Sequence, residues 1–142
     1  MSEEIQIESK DLQEIQKEIP LLTFNSLYNI LREEKKSKTL QQLPELFFEA
    51  LEQYFKQKQD DIKKLQQSKD DDKLRKELNS QSNSKKICKE LLSKRCQKIS
   101  TIAIENHFSK EELHTQENIS KKEEIFFKSV KDSISKLEKT IN

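Results

Sequence analysis

Four residues of this chain have side chains that could bind a metal ion or act as nucleophiles: Cys88, Cys96, His107 and His114. No pair of them has the short spacing of a structural zinc site, and both cysteines occupy an apolar helical stripe, where a thiol is normally inert. Eight residues apart on one helix, the cysteines are about 12 Å apart, too far for a disulfide. We therefore predict two free thiols in a reducing compartment, no metal, no cofactor and no catalytic residue.

A charged residue on an apolar stripe is the next chemical feature. Arg95 falls near the middle of an apolar helical arc, so its guanidinium must either extend to solvent or meet a buried carboxylate. Glu123 projects from the apolar face of the last predicted helix, one turn before Phe127. Two interpretations are open: Arg95 and Glu123 form an ion pair across the two helices, or Glu123 only closes the capping box that begins at Ser120.

Basic residues surround the same arc. Segment Lys85–Ala103 contains six of them against one acid, Glu90. They are Lys85, Lys86, Lys89, Lys94, Arg95 and Lys98. The pattern is typical of a solvated face around a core stripe, and it also fits a contact for nucleic acid or an acidic partner; spacing does not separate the two.

Composition excludes several function classes. The chain has no glycine, which removes phosphate-binding glycine loops and dinucleotide fingerprints. Its net charge of +1 gives no global field toward DNA or membranes. No apolar run approaches the ~18 residues of a transmembrane helix, and the acidic amino terminus is not a signal peptide. We expect an intracellular protein that is not an enzyme.

The elements that must position these residues are amphipathic helices. We predict an all-α bundle of about four to five helices, with an acidic tail over residues 1–19 and one helical domain over residues 20–142. The central stretch is Leu40–Leu65, a helix with Pro44 at its first position. A polar segment near residues 68–85 is predicted to be flexible, with a break at Asn79–Ser84.

The apolar stripes predict which residues form the core and the interface. On the central helix they are Phe47, Phe48, Leu51, Tyr54 and Phe55; on the third, Leu91 and Ile99; and on the last, Phe126, Phe127, Val130 and Ile134, with Leu137 and Ile141 beyond. Adjacent helical residues diverge by about 100°, so both rings of a Phe-Phe pair cannot face one narrow seam. With only 32% hydrophobic residues, we expect a partner to cover at least one ring.

Three stretches together resemble the helical domain of GINS subunits. LREEKKSKTLQQLPELFFEALEQYF (Leu31–Phe55) is similar to that family's acidic lead-in, L-P turn and aromatic helix. LLSKRCQKISTIA (Leu91–Ala103) is similar to its R-x-x-K-I motif, with Arg95 and Lys98 at the R and K positions. ISKKEEIFFKSVKDSISKLE (Ile119–Glu138) is similar to its capped last helix. Order and spacing agree over roughly residues 20 to 140.

The resemblance implies a non-catalytic scaffold subunit of a DNA replication complex. GINS subunits form a tetramer, usually of different subunits, that joins the MCM helicase and a RecJ-like or Cdc-type protein in a CMG-type replisome assembly. The match is to the archaeal-type class with the helical domain first, and the small C-terminal β domain is expected to be missing, whether naturally or by truncation. The implied location is chromosome-associated, and nuclear in a eukaryote.

A second function stays open beside this one. The chain could be a stand-alone helical adaptor that binds nucleic acid through the basic 85–98 face. Such binding should weaken steeply with salt.

Overall fold

The computed structural model describes residues 19–109 and 118–142, and within these ranges every regular element is an α-helix. Helix α1 spans Phe24–Lys36, α2 Phe47–Ser68, α3 Asp71–Phe108 and α4 Lys121–Glu138. The predicted all-α bundle is confirmed. No helix of the described residues is long and apolar enough to cross a bilayer. The predicted tail over residues 1–19 falls almost wholly outside the described residues.

The chain divides into two compact units. The first contains the described residues up to Ser26 together with Pro44–Ser84, and the second contains Leu27–Leu43 together with Lys85–Asn142. The central stretch predicted from the sequence is therefore divided, because its first four residues, up to Leu43, belong to the second unit and the residues from Pro44 onward belong to the first.

The start of α2 differs from the prediction. Pro44 does not occupy the first helical position, because the helix begins three residues later, at Phe47. Leu46 has a left-handed backbone (φ 56°), and its carbonyl accepts a 2.9 Å bond from the Ala50 N–H. A left-handed leucine costs about 1 kcal/mol. The burial of Leu43 and Phe47, on either side of this turn, offsets that cost.

Helix α3 also corrects the sequence interpretation. It continues without interruption through Asn79–Ser84, where the polar composition predicted a break in a flexible segment. The predicted break is therefore wrong, because the segment is helical throughout and one of its polar side chains packs against α2. Ser84 is fully buried, and its Oγ lies 2.8 Å from the Tyr54 hydroxyl on α2.

Further polar contacts join the same two helices within the first unit. The Lys58 ammonium donates to Glu77 Oε1 at 3.1 Å and to Ser80 Oγ at 2.9 Å. The amide of Gln81 donates to Gln59 Oε1 at 3.1 Å. Hydrogen bonds thus hold a helix pair where an apolar stripe is missing, which is why hydrophobic periodicity did not detect it.

The second unit has an apolar cluster that positions the site described below. Its buried members are Leu40, Ile99, Ile102, Ala103 and Phe127, with Ile119 and Val130 packed against them. The members come from α3, α4 and the connectors that precede α2 and α4. Burial of this cluster fixes the register of α3 and α4 on which the charged residues are placed.

Candidate functional site

The candidate site is a cluster of four charged residues in the second unit: Glu34, Arg95, Lys98 and Glu123. Each is carried on an apolar helical stripe. On α1, Leu27, Leu31 and Glu34 are all buried and follow each other at steps of four and three residues. On α3, Arg95 lies one turn after Leu91 and one turn before Ile99, both buried.

Arg95 is the centre of the cluster and is only 1% exposed. Its Nε and Nη2 donate to the two carboxylate oxygens of Glu123, each at 2.7 Å. Its Nη1 donates to Glu34 Oε1 at 2.6 Å and to the Gln41 carbonyl at 2.7 Å, and its Nη2 also donates to the Asn118 carbonyl at 3.0 Å. These five bonds use every N–H of the guanidinium.

The ion pair proposed from the sequence is therefore formed in the structure. Glu123 also closes the capping box, since the Ser120 Oγ accepts from the Glu123 N–H at 3.3 Å. In return, the backbone N–H of Ser120 donates to Glu123 Oε1 at 3.2 Å. Glu123 thus forms the ion pair and also closes the capping box, so the interpretation in which it only caps its own helix is wrong.

Lys98 completes the cluster from the next turn of α3. Its ammonium donates to Glu34 Oε2 at 2.6 Å, to the Glu34 carbonyl at 2.6 Å and to the Thr39 carbonyl at 3.0 Å. All three ammonium hydrogens are used. Glu34 Oε2 also accepts the backbone N–H of Gln41 at 3.2 Å, so one carboxylate binds two cations and the connector after α1.

The electrostatics of the cluster are balanced, with two acids and two bases. Burial alone would raise the pKa of Glu123, but hydrogen bonding and charge attraction from Arg95 outweigh it, and the pKa is lowered. Burial likewise opposes the charge of Arg95, and the two carboxylates raise its pKa above the ordinary value. Arg95 and Glu123 therefore stabilise each other's charge against the cost of burial.

The chemistry that this arrangement offers is structural. Every donor hydrogen of Arg95 and Lys98 is bound, and the acceptors include three backbone carbonyls from connectors. The cluster therefore attaches the segment after α1 and the segment before α4 to the middle of α3. Asn118 strengthens this attachment, because its Nδ2 donates to the Leu40 carbonyl at 2.8 Å.

The two thiols are not members of the charge cluster. Cys88 and Cys96 are both free. Burial raises the pKa of Cys88 to about 11, and burial followed by the nearby Glu123 charge raises that of Cys96. Neither thiol is activated as a nucleophile. No group of three or more potential ligands that could hold a metal occurs in residues 19–109 and 118–142, and His114 lies outside these ranges.

The residues predicted for core and interface fall into three groups by the exposure of their side chains. Phe47, Leu91, Ile99 and Phe127 are buried, and Phe48, Leu51, Tyr54, Phe55, Val130 and Ile134 are half-buried. Phe126 is 36% exposed, and Leu137 and Ile141 beyond it are 71% and 84% exposed. In the second Phe-Phe pair, Phe127 thus belongs to the core and Phe126 is exposed. The exposure of Leu137 and Ile141 means that the C-terminal part of the α4 stripe is not covered within the described residues.

The predicted basic face is also divided. Lys85, Lys86 and Lys89 are exposed, Lys94 is half-buried, and Lys98 is bound to Glu34. The surface available to an outside anion is therefore smaller than the sequence indicated.

Glu34 is the member of the charge cluster that was not predicted from the sequence. The signal was present, because Glu34 continues the apolar spacing of Leu27 and Leu31, as Arg95 does on its own helix. A charged residue on an apolar stripe predicts a buried partner, and this rule applies to both. The backbone acceptors at Gln41, Thr39 and Asn118 carried no comparable signal, because any residue supplies a carbonyl.

Compared with protein-family models, with curated proteins and with solved structures, the chain has no significant match in any of the three.

Proposed function

We propose that this chain is a scaffold subunit of a GINS-like DNA replication complex, without chemistry of its own. In this function it assembles with other GINS subunits into a tetramer, most simply a heterotetramer. The assembly associates with the MCM helicase and a RecJ-like or Cdc-type protein at the chromosome. Any contact with DNA is indirect or weak.

The observation that carries the proposal is the origin of the four charges. Each of the three stretches that resemble the GINS helical domain contributes to one buried cluster. Glu34 comes from the first stretch, Arg95 and Lys98 from the R-x-x-K positions of the second, and Glu123 from the third. The three stretches, which resemble the GINS helical domain in sequence, are therefore also joined to each other by ion pairs within the second unit. This connection supports treating them as parts of one motif.

A second observation supports assembly. On α4, Phe126 and Leu137 lie within about 20° of each other around the helix, and both are exposed. An apolar stripe of this kind is typical of a helix that a partner subunit covers. Ile125 is 72% exposed as well, but it lies about 100° or more away from the other two and so serves as a comparison.

The alternative, nucleic-acid binding through the 85–98 face, has less support. Lys98 donates all three of its ammonium hydrogens to acceptors within the protein. The exposed lysines of this face come from one short stretch of α3. The chain as a whole has a net charge of only +1.

The test is light scattering of the purified protein, alone and co-expressed with candidate GINS subunits, followed by capture of MCM. We expect a tetramer that retains MCM. The double variant Phe126→Ser/Leu137→Ser should dissociate the tetramer, whereas Ile125→Ser should leave it intact. A well-folded monomer that binds none of the GINS subunits would overturn the proposal.

A further inference from the structure

Helix α1 carries a shallow groove that the charge cluster does not use. It encloses about 300 Å³ and is lined by Tyr28, Leu31, Arg32, Lys35 and Lys36. All five residues belong to the second unit. Leu31 is buried and Tyr28 is 52% exposed, so an apolar side chain and an accessible ring lie beside three cationic side chains.

Two of the three cations are available to a ligand. Arg32 is exposed and makes no hydrogen bond or ion pair within the part of the chain that the structure describes. Lys36 Nζ is 4.0 Å from Glu33 Oε1, and both side chains are more than half exposed, so water screens this contact. Only Lys35 is closely paired, with 2.6 Å between its Nζ and Glu90 Oε1.

From these contacts we infer that the groove binds a short acidic segment of a partner protein, and that this segment carries one apolar side chain among its carboxylates. The apolar side chain lies against the Tyr28 ring, which is 52% exposed. The carboxylates on either side of it meet Arg32, whose planar fork matches a carboxylate with two bonds, and Lys36. Recognition of an acidic motif by clustered basic side chains is a recurring mode of peptide binding.

Charge and shape favour a peptide over a nucleic acid. Glu33 and Glu90 lie beside the cations, and they would repel a continuous phosphate backbone while leaving room for isolated carboxylates. A volume of about 300 Å³ suits one or two side chains. The inference does not rest on the proposed replication function, because it uses residues outside the charge cluster and outside the α4 stripe.

The test uses a fluorescent peptide of about ten residues in which glutamates surround one phenylalanine, measured by anisotropy against the full-length protein. We expect micromolar affinity for the wild type. The variant Arg32→Glu/Lys36→Glu should bind at least about tenfold more weakly, since two attractions become repulsions. The charge-matched control Lys63→Glu/Lys64→Glu, at exposed positions of α2, should bind as the wild type does. Circular dichroism verifies that each variant is folded.

A second comparison isolates the apolar contact. Replacing the phenylalanine of the peptide by alanine should weaken binding to the wild type, and it should have little further effect on Tyr28→Ala. The inference is overturned if the wild type does not bind the acidic peptide below about 1 mM, or if both charge-reversed variants lose affinity equally. It is also overturned if a single-stranded DNA of equal charge competes as well as the peptide does, because the groove would then be a phosphate site.

Discussion

Arg95 and Glu34 are 61 residues apart in the chain, yet the Arg95 Nη1 and the Glu34 Oε1 are 2.6 Å apart. Both residues are 1% exposed. An isolated buried charge is unfavourable by several kcal/mol, so each residue requires the other. The Arg95–Glu34 ion pair joins α1 to α3. Because Arg95 also pairs with Glu123 on α4, one guanidinium connects three helices in the second unit.

Neighbouring glutamates provide a direct comparison of buried and exposed charge. Glu34→Gln removes the carboxylate shared by Arg95 and Lys98, and we expect the free energy of unfolding to fall by about 3 kcal/mol. Glu33→Gln, at a side chain 65% exposed, should change it by less than about 0.5 kcal/mol. Urea denaturation followed by circular dichroism measures both. Equal effects of the two substitutions would contradict the structural function assigned to Glu34.

The Arg95–Glu123 pair should show strong energetic coupling. Arg95→Ala leaves two buried carboxylates without their main partner, and Glu123→Ala leaves part of the guanidinium unpaired, so each alone should cost about 3 kcal/mol or more. The double variant should lose clearly less than the sum, with a coupling energy above about 1 kcal/mol, because it leaves fewer charges uncompensated. The measurement is a double-mutant cycle in urea. Additive losses would mean that the two residues act independently.

Stability should depend on Glu123 in acid. The pKa of Glu123 is lowered in the folded state, so between that value and the unfolded value of about 4.3 the unfolded chain binds more protons. The contribution of Glu123 is therefore fully present above about pH 4.3 and is lost as the pH falls through the folded pKa.

A pH series of urea midpoints tests this sign. Wild type should lose stability on acidification below about pH 4.3, and Glu123→Gln should show a flatter curve in that window and a lower midpoint at neutral pH. Glu124→Gln, at an exposed position next to it, is the control and should follow the wild type. A Glu123→Gln curve as steep as that of the wild type would contradict the assigned pKa direction.

The polar contacts of the first unit should be measurable at Ser84. Ser84→Ala leaves the half-buried Tyr54 hydroxyl without its 2.8 Å partner, and we expect a loss of about 1 kcal/mol. Ser82→Ala, two residues earlier at an exposed position, should be neutral or slightly stabilising, because alanine is the better helix former. Thermal and urea unfolding measure the difference. Tyr54→Phe should reduce the effect of Ser84→Ala, and a full effect in that background would argue against the hydrogen bond.

Much of the architecture was predictable from local patterns. The all-α class follows from the composition, and the capping box at Ser120 and Glu123 marked the start of α4 correctly. The Arg95–Glu123 pair was one of two interpretations that the sequence left open, because a charge at the centre of an apolar stripe must either reach solvent or meet a buried partner. The capping box depends on residues close together in the sequence, and the position of a charge on an apolar stripe can be seen within a single helix.

Other features were not predictable, for reasons that differ from place to place. The start of α2 at Phe47 depends on a left-handed Leu46, which propensity alone disfavours. The continuity of α3 through Asn79–Ser84 depends on hydrogen bonds to α2 that no hydrophobic period reveals. In both cases a tertiary contact outweighs a local preference of about 1 kcal/mol or less per residue.

The sequence by itself determined that the chain is helical and where the apolar stripes of its helices lie, because amphipathic spacing is a property of each helix alone. Only the tertiary structure decided that Arg95 shares its charge between Glu34 and Glu123. It also decided that three connector carbonyls and the Glu34 carbonyl accept the remaining hydrogens of Arg95 and Lys98. The reason is physical: a backbone carbonyl carries no sequence signature, and a guanidinium selects its partners by geometry once the helices have packed.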